Sequence, residues 1–140
     1  MKILIELPSW LGDSVMLTPS IENIVKVYQS PDIVLVGPAI SVHTLKYHPA
    51  VQASYIIKKN YFSLFKLSRK LGNYDAFFSF RSSYRSSIFK FLISSKQKFQ
   101  FSKRRYKNRH QVQAYSDFLS DSLKVSLEPK KLIIYPKKSN

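Results

Sequence analysis

Ile3-Leu4-Ile5-Glu6-Leu7-Pro8-Ser9-Trp10-Leu11-Gly12-Asp13 is the stretch whose reading decides the fold. An apolar run reads as a buried strand, a Pro and Gly loop turns it, and an acid stands where a helix is about to start. In open α/β sheets, ligands bind in the crevice beyond the carboxyl ends of the strands. Asp13 therefore falls at the expected chemical position of such a fold, and Gly12 before it allows another molecule close to the backbone. The plain alternative is that Asp13 is an N-cap, favoured there by the positive end of the helix. No G-x-G-x-x-G and no G-x-x-x-x-G-K-[ST] occurs, and 3 Gly in the chain leave little room for a phosphate cradle.

Outward from that stretch, strands and helices alternate. Lys2 to Leu7 reads as a strand. Ile21, Ile24, Val25 and Tyr28 mark one face of the next helix, which begins at Asp13 and bends, or begins at Thr18 with Pro19 in its first turn. Ile33 to Val36 is a strand, Ser41 to Tyr47 a short helix stopped before Pro49, and Ser54 to Ile57 a strand. Tyr61 to Leu71 is helical, with Leu64, Leu67 and Leu71 inward, and Gly72 ends it. Asp75 to Phe80 is a strand, and Tyr84, Ile88, Phe91 and Leu92 mark a helix. Lys98 to Phe101 is a short strand, and a basic loop runs on to Arg109. His110 to Leu123 is a helix with Val112, Tyr115, Leu119 and Leu123 inward. Leu132 to Tyr135 is a last strand-like run before the polar tail 137–140. Such alternation predicts a mainly parallel, Rossmann-like sheet with helices on both faces.

Composition narrows the function. The 140 residues are 44% hydrophobic, enough for one domain with a core. No stretch approaches the ~18 apolar residues of a membrane span, and Glu6 interrupts the apolar start, so no signal peptide is read. Absence of Cys excludes disulfides and thiolate metal sites. His43 and His48 lack ligand spacing, and neither a metal nor a cofactor is expected. The net charge of +15, from 23 bases against 8 acids, calls for an anionic partner. Arg81, Arg85, Lys90, Lys96, Lys98, Lys103, Arg104, Arg105, Lys107 and Arg109 accumulate without one acid between Asp75 and Asp117. A smaller set is Lys58, Lys59, Lys66, Arg69 and Lys70. Scattered Lys is usually a solvated face, but Lys103 to Arg109 is concentrated and Arg-rich, as phosphate binding favours.

Met1 to Pro19, M-K-I-L-I-E-L-P-S-W-L-G-D-S-V-M-L-T-P, resembles the start of the ADP-heptose:lipopolysaccharide heptosyltransferases, above all the type that adds the second inner-core heptose. Ile33 to Pro38, His48-Pro49-Ala50-Val51, Tyr74-Asp75-Ala76 and His110 to Tyr115 are similar, in order, to later segments of that family. The resemblance implies a GT-B enzyme of two Rossmann-like domains, of which 1–136 is the acceptor-side first domain. It also implies that 137–140 lies at the junction, and that the nucleotide-sugar domain with its "D-[ST]-G-x-x-H" segment is absent. The matching Asp13 becomes the general base of an inverting transfer. Trp10 is an apolar wall for a sugar or a core residue. Gly12, Arg81, Arg85, Lys103, Arg104, Arg105, Arg109 and His110 become acceptor-side contacts. His110 is equally a structural hydrogen bonder, and Arg81 to Ser87 departs from the family's "N-S-x-x-S". The implied partners are ADP-heptose, held mostly by the missing half, a lipid A-core acceptor and the cytoplasmic membrane surface of a Gram-negative bacterium. Two rival readings remain: a basic module binding nucleic acid through Lys103 to Arg109, although no RNP1-like motif occurs, and an inactive fragment. By the family reading no nucleic acid is expected, and the chain alone is inactive.

Overall fold

A computed structural model describes residues 1–58, 60–128 and 131–136. Lys59 of the smaller basic set and the tail 137–140 lie outside the described residues. The chain order is β1 (Lys2–Glu6), α1 (Leu11–Val27), β2 (Asp32–Gly37), α2 (Ala39–Leu45), β3 (Val51–Ile56), α3 (Tyr61–Leu71), β4 (Asn73–Ser79), α4 (Tyr84–Leu92), β5 (Ser94–Gln100) and α5 (Gln111–Leu123). The strands form one parallel sheet in the order β3-β2-β1-β4-β5. This is the Rossmann-like arrangement, and the strand order reverses between β1 and β4.

Alternation along each strand sends successive side chains to opposite layers. Ile3, Ile5, Ile33, Leu35, Ala76 and Phe78 pack under α1, α2 and α5. Leu4, Val34, Val36 and Phe77 pack under α3 and α4. Burial on both faces is why the strands are continuous apolar runs. Two glycines answer to backbone needs. A Cβ on Gly37 would stand 3.0 Å from the Cβ of Leu7, so β2 ends in the residue that lets the β1 loop close over it. Gly72 has φ +82° and stops α3, a conformation side chains resist.

Helix α1 runs unbroken from Leu11 through Pro19, so neither sequence-level start at Asp13 nor at Thr18 holds. Pro19 has no amide for the Val15 carbonyl. The Thr18 hydroxyl donates to that carbonyl instead, at 2.8 Å. In α4 the inward residues are Ser86 and Phe89, while Tyr84 and Phe91 are exposed.

The expected last strand does not form. Residues 131–136 run as irregular chain along α1: the Ile133 amide donates to Thr18 Oγ1 at 3.1 Å, and the Tyr135 ring meets His48 edge-on, its hydroxyl donating to Glu22. Side-chain partners on α1 take the place of a strand partner. Among the described residues no helix is long and apolar enough to cross a membrane.

Candidate functional site

Glu6 ends β1 and Ser79 ends β4, and the chain beyond each opens into a cleft of about 350 Å³ at the reversal point. Its walls include Trp10, Asp13, Arg81, Lys103, Gln111 and Tyr115. Phe80 and Phe101 form the apolar floor, and both meet Tyr115 edge-on.

The loop that carries the acid side is fixed from below. Ser14 Oγ donates to Ser41 Oγ at 2.8 Å, and Ser41 Oγ donates to the Pro8 carbonyl at 2.5 Å. This buried relay ties α1, α2 and the Pro8 turn into one unit. Asp13 is not the N-cap. Trp10 holds that position without a side-chain cap bond, and Asp13 is the third residue of the helix. Its carboxylate is half-buried at the cleft wall, near the positive helix end. The Tyr115 hydroxyl is pushed well above the usual phenol range, chiefly by burial and further by the charge of Asp13. A neutral phenol and a carboxylate thus face the same space. Trp10 is 74% exposed at the rim, which overturns a core role. Nothing in the chain lies within 4 Å of where a Gly12 side chain would begin, so the surface above residue 12 is open.

The basic side divides. Arg81 and Lys103 line the cleft. Their backbones are set by neighbouring serines: the Lys103 amide donates to Ser82 Oγ at 2.7 Å, and Ser82 Oγ donates to the Phe101 carbonyl at 2.9 Å. Arg81 precedes α4, whose N-cap is Ser83, so Arg81 and Arg85 do not share a helix face. The Nε of Arg85 is buried without a hydrogen-bond partner among the described residues. Arg104 is exposed on the 103–108 turn, outside the cleft walls. Arg105 pairs with Asp121 at 3.6 Å and Arg109 with Asp117 at 3.3 Å. Both acids come from α5, so these guanidiniums are spent on the chain itself rather than aimed at the cleft. His110 caps α5, its Nδ1 accepting from the Val112 amide at 3.3 Å. That is the structural hydrogen bond its position allowed.

Glu6 is the residue that sequence reading passed over, using it only as a break in an apolar run. It lies 1% exposed beneath the cleft. Ser79 Oγ donates to it at 2.6 Å and Ser86 Oγ at 3.1 Å. Burial pushes its carboxyl up; the two serine bonds and the charges of Arg81 and Arg85 offset this only in part. A lone acid at the carboxyl end of a buried strand was the available signal. Ser41 and Ser82 gave none, because they reach the site only through tertiary packing, and Tyr115 was legible as an inward residue of its helix but not as part of the cleft.

No family model matches the sequence. The parallel sheet and the cleft at its reversal point define a Rossmann-like domain. A glycosyl transferase family 9 structure from Veillonella parvula superposes with a TM-score of 0.80 at 18% identity, over 98% of this chain and 45% of that one. The structure of E. coli heptosyltransferase WaaC with ADP-2-deoxy-2-fluoro heptose gives 0.68 at 17% identity, over 94% and 51%. In sequence the chain is similar to heptosyltransferases. It is 37% identical over 136 residues to lipooligosaccharide heptosyltransferase 2 of Campylobacter jejuni subsp. jejuni serotype O:2, covering 94% of this chain and 42% of that protein. The chain thus spans under half the length of the curated relatives it matches.

Proposed function

We propose that this chain is the N-terminal, acceptor-side half of an inverting GT-B glycosyltransferase that moves heptose from ADP-heptose to the lipopolysaccharide inner core at the cytoplasmic face of the inner membrane. Residues 1–136 are that domain, and 137–140 lead toward the second. The observation that carries the reading is Asp13 on the wall of the cleft that Arg81 and Lys103 also line, in a chain that is 37% identical to a heptosyltransferase.

The proposed chemistry is a single displacement. Asp13 takes the proton of the acceptor hydroxyl, and the freed oxygen forms a bond to the anomeric carbon of the donor. The bond from that carbon to the diphosphate breaks on the opposite face, ADP leaves with the electron pair, and configuration inverts. Trp10 supplies an apolar wall for the acceptor sugar. Arg81 and Lys103 meet acceptor phosphate, where cations and charge-assisted hydrogen bonds are strongest. Holding the two reacting atoms in line supplies several kcal/mol or more of the barrier reduction, and that alignment requires the donor half. The ion pairs of Arg105 and Arg109 leave less free charge for a nucleic-acid interface than the sequence suggests.

The test is a transfer assay on the complete protein with ADP-heptose and a heptose-bearing lipid A-core acceptor. Transfer with inversion is expected, and none with any ADP-sugar would overturn the reading. A calorimetric titration of the 140-residue chain with ADP separates the halves. Weak or no binding is expected, while micromolar affinity would overturn the division of labour.

A further inference from the structure

Charge is distributed unequally between the two helical layers. Every acid carried by a helix lies on α1 (Asp13, Glu22) or α5 (Asp117, Asp121), in the layer over one face of the sheet. Helices α3 and α4, over the other face, carry none. From residue 33 to residue 116 the single acid is Asp75, and it is already engaged. It accepts from the Lys2 amide at 2.8 Å and pairs with Lys96 at 3.6 Å.

The same acid-free layer exposes large rings. On α3, Phe62, Phe65, Lys66 and Arg69 fall at i, i+3, i+4 and i+7, one stripe of the helix. Leu64, Ser68 and Leu71 are the buried side. Phe62 is 67% and Phe65 47% exposed. The Lys66 ammonium stands 4.7 Å from the Phe62 ring centre, and the Arg69 guanidinium 5.5 Å from that of Phe65. On α4, which packs beside α3, Tyr84 and Phe91 are exposed. Phe91 shares a shallow groove with Lys90 and Lys98.

Phenyl rings interleaved with cations, and no carboxylate among them, match one environment. Rings enter the boundary between headgroups and acyl chains, while Lys and Arg stems extend to the phosphates. We infer that the outer face of α3 and α4 is a docking surface for an anionic phospholipid bilayer, with Phe62 and Phe65 as the inserted residues and Lys66, Arg69 and Lys70 as the phosphate contacts. The inserted residues lie on α3 and not on the Lys103 to Arg109 loop, to which sequence density alone would assign phosphate contact; at the α4 edge, Lys90 and Lys98 also line a groove with Arg105 and Tyr106. It extends the proposed function, whose acceptor is lipid-linked, but its test reads lipid binding alone. A failed vesicle assay and a failed transfer assay are therefore distinguishable.

The experiment is co-sedimentation of the 140-residue chain with vesicles of phosphatidylglycerol and phosphatidylcholine in equal parts, against phosphatidylcholine alone. Binding to the anionic vesicles only is expected. Phe62→Ser with Phe65→Ser should weaken it by about tenfold or more, since a buried Phe contributes most of the apolar transfer. Lys66→Glu with Arg69→Glu should weaken it by roughly fivefold or more per position, the worth of one cation at an anionic surface. Arg105→Ala with Lys107→Ala should leave it unchanged. All six side chains are exposed, so circular dichroism should report an intact fold. Equal binding to both vesicle types, α3 variants that bind as the unaltered chain, or loss of binding only in the loop variant would each overturn the inference. So would a dimer that dissolves on replacing Phe62 and Phe65, because the face would then belong to a second copy.

Discussion

Two stretches of the chain carry the same residue types and end in opposite electrostatic states. At the cleft, Arg81 and Lys103 stand on its walls with Asp13. A few residues on, Arg105 and Arg109 are held by Asp121 and Asp117 of α5. The difference lies in what folds back against each segment. Helix α5 returns beside α1 and presents its acids to the second half of the loop, while the first half is anchored by Ser82 and faces the open reversal point. A cation's availability is set by its tertiary neighbours. Density along the chain does not set it.

The largest effect should come from the acid of the cleft. On the proposed reading, Asp13→Asn in the complete protein should lower kcat by about two to four orders of magnitude while leaving the acceptor KM nearly unchanged, the loss typical of a removed general base. Near-normal turnover with chemistry rate-limiting would reduce Asp13 to a favourable charge at a helix start.

Phe101 joins the two regions, since it lines the cleft floor and stacks on Tyr106 of the basic loop at 5.5 Å. Phe101→Ala should cost about 3–5 kcal/mol in chemical denaturation, as for other buried Phe truncations. A loss under ~1 kcal/mol, the scale of a surface change, would show that loop and cleft are not packed through this ring.

The comparison is tested most directly by two single substitutions. Lys103→Ala in the complete enzyme should weaken binding of a phosphorylated acceptor by roughly tenfold or more, the worth of one charge-assisted contact. Arg109→Ala should leave that binding unchanged and alter stability by less than about 1 kcal/mol, since its ion pair is exposed. Equal effects of the two on acceptor binding would erase the distinction.

Glu6 gives the smallest effect and a distinctive sign. Its folded-state carboxyl is raised above the ordinary 4.5 by burial. The proton is bound more tightly in the folded chain, so its contribution is complete below that value and is lost as pH rises past it. Glu6→Gln should therefore be more stable than the unaltered chain at neutral pH, and the gap should close toward acid. Thermal unfolding at a series of pH values reads this. A variant less stable at neutral pH would mean that the partly buried guanidiniums need the Glu6 charge.

Much of the architecture was legible in the chain, because a parallel sheet buried on both faces needs apolar runs, and the helices over it need apolar stripes at helical spacing. Helix α3 matched at both ends, with Gly72 as its stop. Helix α4 was legible as a helix but not in its face: Tyr84 and Phe91, two of the residues that marked it, are exposed, and Ser86 and Phe89 are buried. Residues 132–135 resemble a strand in composition, yet they lie against α1, where Thr18 and Glu22 provide partners that no local pattern reveals.

The sequence by itself determined the alternation of strands and helices, the position of Asp13 beyond β1, and the excess of cations, since each follows from residue type and spacing along one segment. Tertiary structure alone decided which cations are free and placed Tyr115 beside Asp13. It also hid a carboxylate under the cleft and gathered the exposed rings of α3 and α4 onto an acid-free layer. Those outcomes depend on contacts between residues far apart in the chain, such as Glu6 with Ser79 and Ser86, and a local pattern carries no record of its distant partner.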